Sequence, residues 1–373
     1  MFTVLKNFKE DEKIFFSIAA IILCLGLIMV YSSSYIFAVE SFGQSYYFFL
    51  RQIINGLIGG GLFLLISKTK FDFWIKYANY VHIFACILVL STFLPGVGVS
   101  IKGSSRWLNL VFVQFQPGEL LKYTTVLMAS RFVLKFSEMP INQLFKEVIS
   151  LFFPIFLLAL QPDFGTFIIC FSIIIFIGFI SDFPRKIFYS FFLAGTLLGT
   201  FILTLADYRV QRMLTFLDPW KNPRSSGFQI IQSYLAFSNG GLFGLGIGNS
   251  NEKLLYLPEA HNDFIFSVFG EEFGFIGVLV IVSLFVSLIF YGFKIAISFK
   301  KEAAQMIISG VVFLIGLQAM FNMGVVLGLL PTKGLNLPFF SYGGSSLICN
   351  FFGLGLIVSG LKNKYEELKT SVI

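Results

Sequence analysis

Residues 252–274 read Glu-Lys-Leu-Leu-Tyr-Leu-Pro-Glu-Ala-His-Asn-Asp-Phe-Ile-Phe-Ser-Val-Phe-Gly-Glu-Glu-Phe-Gly. A polar knot runs without a linker into an apolar stretch that continues to about residue 293. A spanning helix needs about 20 apolar residues, so this stretch predicts one. The knot then lies at a water–lipid boundary, with Glu259, His261 and Asp263 in it. Glu271 and Glu272 follow inside the apolar layer. A charge at helix centre costs about 2.5–3.5 kcal/mol on insertion scales and usually marks a working site.

Working outward, the whole chain has the same character. It has 373 residues, 56% hydrophobic and 13% charged, with a mean hydropathy of +0.84. That is too apolar for a soluble domain of this length and predicts an all-α polytopic membrane protein. Ten candidate spans lie at roughly 15–35, 47–67, 74–94, 117–134, 147–161, 164–181, 187–206, 264–293, 304–330 and 339–361. They make one membrane domain over residues 1–373. Only Gln161-Pro162-Asp163 separates the fifth from the sixth, as a tight hairpin or a buried break. The first stretch, Phe15 to about Ser34, is too long for a signal-peptide core and is expected to stay as a helix. Cys24, Cys86, Cys170 and Cys349 all fall in apolar runs, without metal-ligand spacing, and read as packing residues.

Loop charge sets the expected orientation. If the N-terminus is cytoplasmic, the inner segments hold Lys6, Lys9 and Lys13, Lys68, Lys70 and Lys76, Arg131, Lys135 and Lys146, Arg185 and Lys186, Lys294, Lys300 and Lys301, and Lys362, Lys364 and Lys369. The positive-inside rule then places both termini in the cytoplasm. The longest loop, Asp207–Asp263 between spans seven and eight, becomes extracytoplasmic. It contains an amphipathic stretch, Phe228–Phe237, suited to a short helix on the membrane surface. A glycine-rich run, Gly240 to Gly248, follows. The net charge of +7 sits in these loops and does not indicate nucleic acid. No Walker motif, zinc site or Ser-His-Asp arrangement is present, so nucleotide-driven transport is unsupported.

Four constellations carry chemistry. Asp263 stands where the eighth span begins, either as a helix cap or as a general base facing a substrate at the membrane surface. Glu259 and His261 flank it and would tune or assist it. Glu119 and Lys122, in Gln116-Pro117-Gly118-Glu119-Leu120-Leu121-Lys122, are three apart on one helix face. They form a structural ion pair or line a polar cavity. Lys102, Arg106, Arg209, Arg212, Lys221, Arg224, Lys253 and Lys333 lie in outer loops, where basic residues are unusual, and fit an anionic headgroup or scattered solvated charge. Ser345, in Ser341-Tyr342-Gly343-Gly344-Ser345-Ser346 of the tenth span, belongs to a phosphate cradle or, more simply, to a close helix contact. Gln318 and Asn322 read as interhelical hydrogen bonders.

Taken in order, Arg106-Trp107-Leu108-Asn109, Gln116 to Lys122, Gln161-Pro162-Asp163-Phe164-Gly165-Thr166, Leu257-Pro258-Glu259-Ala260-His261-Asn262-Asp263-Phe264-Ile265-Phe266, and Leu330-Pro331-Thr332-Lys333-Gly334 through Pro338 to Ser346 resemble the SEDS family (FtsW/RodA/SpoVE) of bacterial cell-wall synthesis. Tyr256 to His261 and Pro331 to Gly334 resemble its division branch. Asn262 stands where Thr is common and Gly118 where Ser is common. The resemblance covers nearly the whole chain. It implies ten helices and a peptidoglycan glycosyltransferase in the cytoplasmic membrane, at the division septum. The implied substrate is lipid II, joined into glycan strands on the outer face. It implies that Asp263 matches the family's essential outer carboxylate, and that the partners are a class B penicillin-binding protein transpeptidase and other divisome proteins. Arg106, Arg209, Arg212, Lys253 and Lys333 would then stabilise the pyrophosphate leaving group. A divalent cation, Mg or Mn, could share that task, although the sequence shows no cage of oxygen ligands. Two other classes stay open. A lipid II flippase would use Glu119, Lys122, Glu271 and Glu272 as a pathway, and a divisome scaffold would need no chemistry at Asp263.

Overall fold

The computed structural model describes residues 8–101, 104–110, 113–204, 207–225, 227–254 and 257–370. Lys6, Lys102 and Tyr256, named above, lie outside them, as do the side chains of Arg209 and Lys369. Thirteen α-helices run through the described residues: α1 (Glu10–Phe42), α2 (Tyr47–Lys68), α3 (Phe71–Lys76), α4 (Ala78–Ser91), α5 (Pro117–Lys135), α6 (Ile141–Leu160), α7 (Phe164–Ile180), α8 (Arg185–Thr204), α9 (Asp207–Leu217), α10 (Phe228–Gly240), α11 (Ile265–Ile297), α12 (Glu302–Val326) and α13 (Gly344–Thr370). Each of the ten expected spans falls on one or more of these helices. Six (α1, α2, α6, α11, α12 and α13) are long and apolar enough to cross a membrane. The protein is a helical, multi-pass membrane protein.

The chain folds into two compact units, each assembled from separated segments. The second comprises Leu57–Thr200, Gly292–Leu314 and Gly344–Ile373. Its centre is α5, which packs on α4, α6, α7 and α13. α5 carries Lys122, Thr124, Thr125 and Ser130, all fully buried. A helix encased by protein need not be apolar all round, because its neighbours rather than lipid supply the partners. Tyr123 of α5, for instance, donates to Asn350 Oδ1 of α13 at 2.7 Å.

Before α5 the same unit holds a three-stranded antiparallel sheet: β1 (Gly98–Ile101), β2 (Ser104–Leu110) and β3 (Val113–Phe115), in that order. Val99 pairs with Trp107, and Asn109 with Gln114. Hydropathy predicts helices alone and gives no sign of this sheet. Val, Ile, Trp and Phe in this connection favour strands over open loop.

The first unit comprises Met1–Gly56, Phe201–Tyr291 and Ile315–Gly343. Two details differ from expectation. The eighth span is not continuous: α11 breaks at Gly274 (φ 65°, ψ −167°), giving helical pieces at 265–273 and 275–297. The tenth starts later than expected, so Ser341-Tyr342-Gly343 precede α13 and Gly344-Ser345-Ser346 open it. Residues 331–343 are irregular backbone lying against α1. A Cβ on Gly26 of α1 would stand 2.6 Å from both Phe339 O and Phe340 Cα, so only glycine admits this crossing. The stretch Phe228–Phe237 is helical and forms most of α10 (Phe228–Gly240).

Candidate functional site

Glu259, His261, Asp263 and Lys333 lie in the first unit, and Arg106, Glu119, Lys122 and Ser345 in the second. In the first unit, residues 257–263 form a tight loop leading into α11. Glu259 takes a left-handed backbone (φ 58°). Its carbonyl accepts from Asn262 N at 3.0 Å and Phe264 N at 3.3 Å, and its carboxylate accepts from the Asn262 amide. This turn delivers Asp263, half-buried, to the first residue position before Phe264.

The backbone of Asp263 is held from α12. Asn322 Nδ2 donates to Asp263 O at 2.8 Å and to Leu335 O at 2.6 Å. One buried amide thus ties the Asp263 loop to the segment carrying Lys333 and Gly334. A Cβ on Gly334 would lie 3.4 Å from Asp263 Oδ2, so this turn passes directly beside the carboxylate. Tyr342 N closes the arrangement by donating to His261 O at 3.0 Å. Ser341 and Gly343 are in turn held by Gln52, whose amide donates to Ser341 O at 3.1 Å and accepts from Gly343 N at 3.3 Å.

His261 is packed among aromatic rings. Phe48 lies 4.5 Å away, Phe37 5.5 Å and Tyr342 5.7 Å, centroid to centroid. Burial pushes its pKa down to about 4 against the opposing pull of Glu259, so the ring is neutral near pH 7. A neutral, ring-stacked histidine shapes the loop. Lys333 is half-buried with its amine 5.2 Å from the Phe321 ring centroid. Burial lowers its pKa to about 8. Lys253, in contrast, is 4% exposed and holds its amine 2.7 Å from Glu272 Oε1, away from open solvent. Arg212 is exposed on α9.

In the second unit, Arg106 of β2 reaches the turn between α6 and α7. Its guanidinium donates to Gln161 O at 3.4 Å and to Pro162 O, and lies 3.7 Å from Asp163 Oδ1. Asp163 caps α7, accepting from Thr166 N at 3.2 Å and Thr166 Oγ1 at 2.9 Å. Gln116 Nε2 approaches the same carboxylate at 3.4 Å, while Gln116 N donates to Ser345 Oγ at 2.9 Å. Ser345 therefore stitches the first turn of α13 to the strand before α5. Glu119 and Lys122 form an ion pair at 2.7 Å, with Lys122 wholly buried.

Sequence reasoning undervalues Asn322 and Asp163. An amide inside an apolar span must find partners. That signal demands a bond for Asn322 without saying that the bond goes to Asp263. Among the described residues, no group of three or more His, Cys, Asp or Glu is arranged to hold a metal ion, and the donors present do not make a divalent-cation cage.

The profile FTSW_RODA_SPOVE, described as "Cell cycle protein", matches residues 12–366. The chain belongs to the FtsW/RodA/SpoVE family. Family members similar to it include a probable peptidoglycan glycosyltransferase FtsW of Geobacter metallireducens (strain GS-15). That protein is 37% identical over 371 residues, covering 95% of this chain and 96% of the relative. The corresponding protein of Coxiella burnetii is 36% identical over 353 residues, covering 90% and 92%. Among solved structures, a chain from a peptidoglycan synthase complex that coordinates polymerization and crosslinking superposes with a TM-score of 0.75. It is 29% identical, with 94% of this chain and 98% of that one covered. The rod shape determining protein RodA of Thermus thermophilus gives 0.67 at 26% identity, covering 94% and 96%.

Proposed function

We propose that this family member, a peptidoglycan glycosyltransferase of the multi-pass membrane type, polymerises lipid II on the outer face of the cytoplasmic membrane during septal wall synthesis, with Asp263 as general base. The glycosyltransferase class is that of its FtsW relatives. The observation that carries the assignment to Asp263 is its mounting. The residue is fixed through its carbonyl by Asn322, stands half-buried, and has the Lys333-Gly334 turn beside its carboxylate.

In this reading the carboxylate takes the proton from the 4-hydroxyl of the acceptor sugar. That oxygen forms a bond to the anomeric carbon of the donor glycan. The bond from that carbon to the pyrophosphate oxygen breaks, and its electron pair leaves with the undecaprenyl pyrophosphate. The leaving group is highly anionic, and cations aimed at it lower the barrier. Lys333 is a candidate, because the residue after it, Gly334, passes beside the Asp263 carboxylate; Arg106 and Arg212 are further candidates, as is Arg209. Lys253 is already paired with Glu272 and is not free for this task. The partner in this reading is a class B penicillin-binding protein transpeptidase, with other divisome proteins.

The transport alternative needs Glu271 and Glu272 open to a path. They are 0% and 1% exposed, and each is hydrogen-bonded within the fold. Lipid II polymerisation by the purified chain with its cognate transpeptidase, wild type beside Asp263→Asn, tests the proposal. Glycan from wild type and none from a folded mutant supports it. Equal product from both removes Asp263 as the base. A scaffold predicts no product from either.

A further inference from the structure

The loop that ends at Asp263 begins on a second pair of carboxylates. Glu271 and Glu272 end the first helical piece of α11, at 265–273. Glu272 Oε1 accepts from Lys253 Nζ at 2.7 Å and from Ser32 Oγ of α1 at 2.6 Å. The same amine lies 3.2 Å from Ser32 Oγ and 5.2 Å from the centroid of the Tyr35 ring. Glu271 accepts from Asn251 N at 3.1 Å, from Glu252 N at 3.3 Å and from the Ser250 hydroxyl. Lys253 N donates back to Ser250 Oγ at 3.3 Å. Residues 250–253 are thereby bolted to the C-terminal end of the helical piece whose N-terminal end is entered through Asp263.

That helical piece is itself clamped at its break. On one side of Gly274, Leu245 N and Gly246 N donate to Glu271 O and Glu272 O, both at 3.0 Å. On the other, Phe275 N and Ile276 N donate to Gly241 O at 2.9 Å and Leu242 O at 3.2 Å. The carbonyls and N–H groups that a helix break orphans are therefore met by the glycine-rich loop. A Cβ on Gly274 would fall 2.3 Å from Gly244 N, and its φ of 65° suits glycine. At 1.5 Å per residue the piece is roughly 13 Å long. The intervening loop thus leaves one end of a short, fixed rod and returns to the other.

Outer-loop position alone makes Lys253 a candidate for the pyrophosphate. Its side chain is 1% exposed and its amine is engaged. An incoming anion would have to strip it from Glu272 and leave that carboxylate buried and unpaired, which is strongly unfavourable. We propose that Lys253 is a positioning residue: paired with Glu272 and Ser32, it fixes the start of the loop so that Asp263 is presented in one place. This rests on the reading of Asp263 as the base.

The test is steady-state lipid II polymerisation by the full chain with its transpeptidase, with thermal unfolding in detergent measured alongside. Lys253→Met lowers kcat by about tenfold or more while KM for lipid II stays within about twofold, as expected for a misplaced base. The neutral pair Lys253→Met with Glu272→Met, which strands no charge, unfolds near the wild-type temperature and stays slow. The swap Lys253→Glu with Glu272→Lys regains rate. Ser32→Ala, which unpairs no charge, keeps the Tm and lowers kcat by a smaller factor. A neutral pair with wild-type kcat, or Ser32→Ala without effect on kcat, overturns the proposal. So does a rise in KM at unchanged kcat in Lys253→Met, which would mark a substrate contact. If Asp263→Asn is active, the base assignment fails whatever Lys253 does. If Asp263→Asn is dead and the neutral pair runs at full rate, only the positioning role fails.

Discussion

Two aspartates stand at helix starts in this chain, and different atoms tie them into the fold. Asp163, before α7, is 4% exposed. Its side chain does the holding: it caps the helix through Thr166, meets the Arg106 guanidinium and receives Gln116. Asp263, before α11, is half-buried and is itself held, through its carbonyl, by Asn322. Both follow a Pro-containing loop and precede Phe, so local sequence hardly tells them apart. The capping role that is one reading of Asp263 is the one Asp163 performs. Asp163 holds its helix through its carboxylate, whereas the bond from Asn322 holds Asp263 through its main chain.

The contrast is broken most sharply by substituting each aspartate in turn. Asp263→Asn keeps size and hydrogen-bonding capacity while removing basicity. It is expected to lower the polymerisation rate by about 10²–10⁴-fold with little change in thermal unfolding. Asp163→Ala should act mainly on stability. Loss of a cap costs about 1 kcal/mol, to which loss of the Arg106 ion pair adds. Thermal unfolding in detergent, measured beside the rate, separates them. A stable, inactive Asp163→Ala would make the residues around Asp163 part of the chemistry.

Asn322→Ala probes the mounting itself. It strips Asp263 O and Leu335 O of a shared donor in a buried place, a change worth about 1–3 kcal/mol. The expected result is a fall in kcat of about 10–100-fold, since small displacements of a catalytic group are expensive, together with a lower unfolding temperature. A rate unchanged in a destabilised Asn322→Ala would mean that the carbonyl bonds serve packing alone.

Much of this architecture is legible in the amino-acid sequence. The spans follow from apolar run length, and Asp263 stands out because a polar knot abuts a span. What stays hidden depends on partners far away along the chain. Hydropathy runs unbroken across Phe273-Gly274-Phe275, and the break exists because residues 241–246 hydrogen-bond on both sides of it. Lys253 reads as an outer-loop cation because its counter-ion, Glu272, lies 19 residues on, inside an apolar run. Asn322 advertises a need for a partner without naming Asp263. The strands at 98–115 are too short to leave a period in the sequence.

Lys333 supplies the smallest effect and the finest discrimination, because burial gives it opposite signs for stability and for activity. Its folded pKa is about 8 and its ordinary value 10.5. Between those values the unfolded chain binds more protons than the folded one, so this group makes stability rise with pH across that window. Below about pH 8 both states are charged and the full burial penalty is present. Activity runs the other way. If the ammonium faces the leaving pyrophosphate, kcat/KM, which reports the free enzyme, falls as pH rises through about 8 while the fold grows no weaker. Lys333→Arg stays charged throughout and should flatten that alkaline limb, with at most a several-fold change below it. The same limb surviving in Lys333→Arg would assign it to another group and leave Lys333 as a loop residue beside the base.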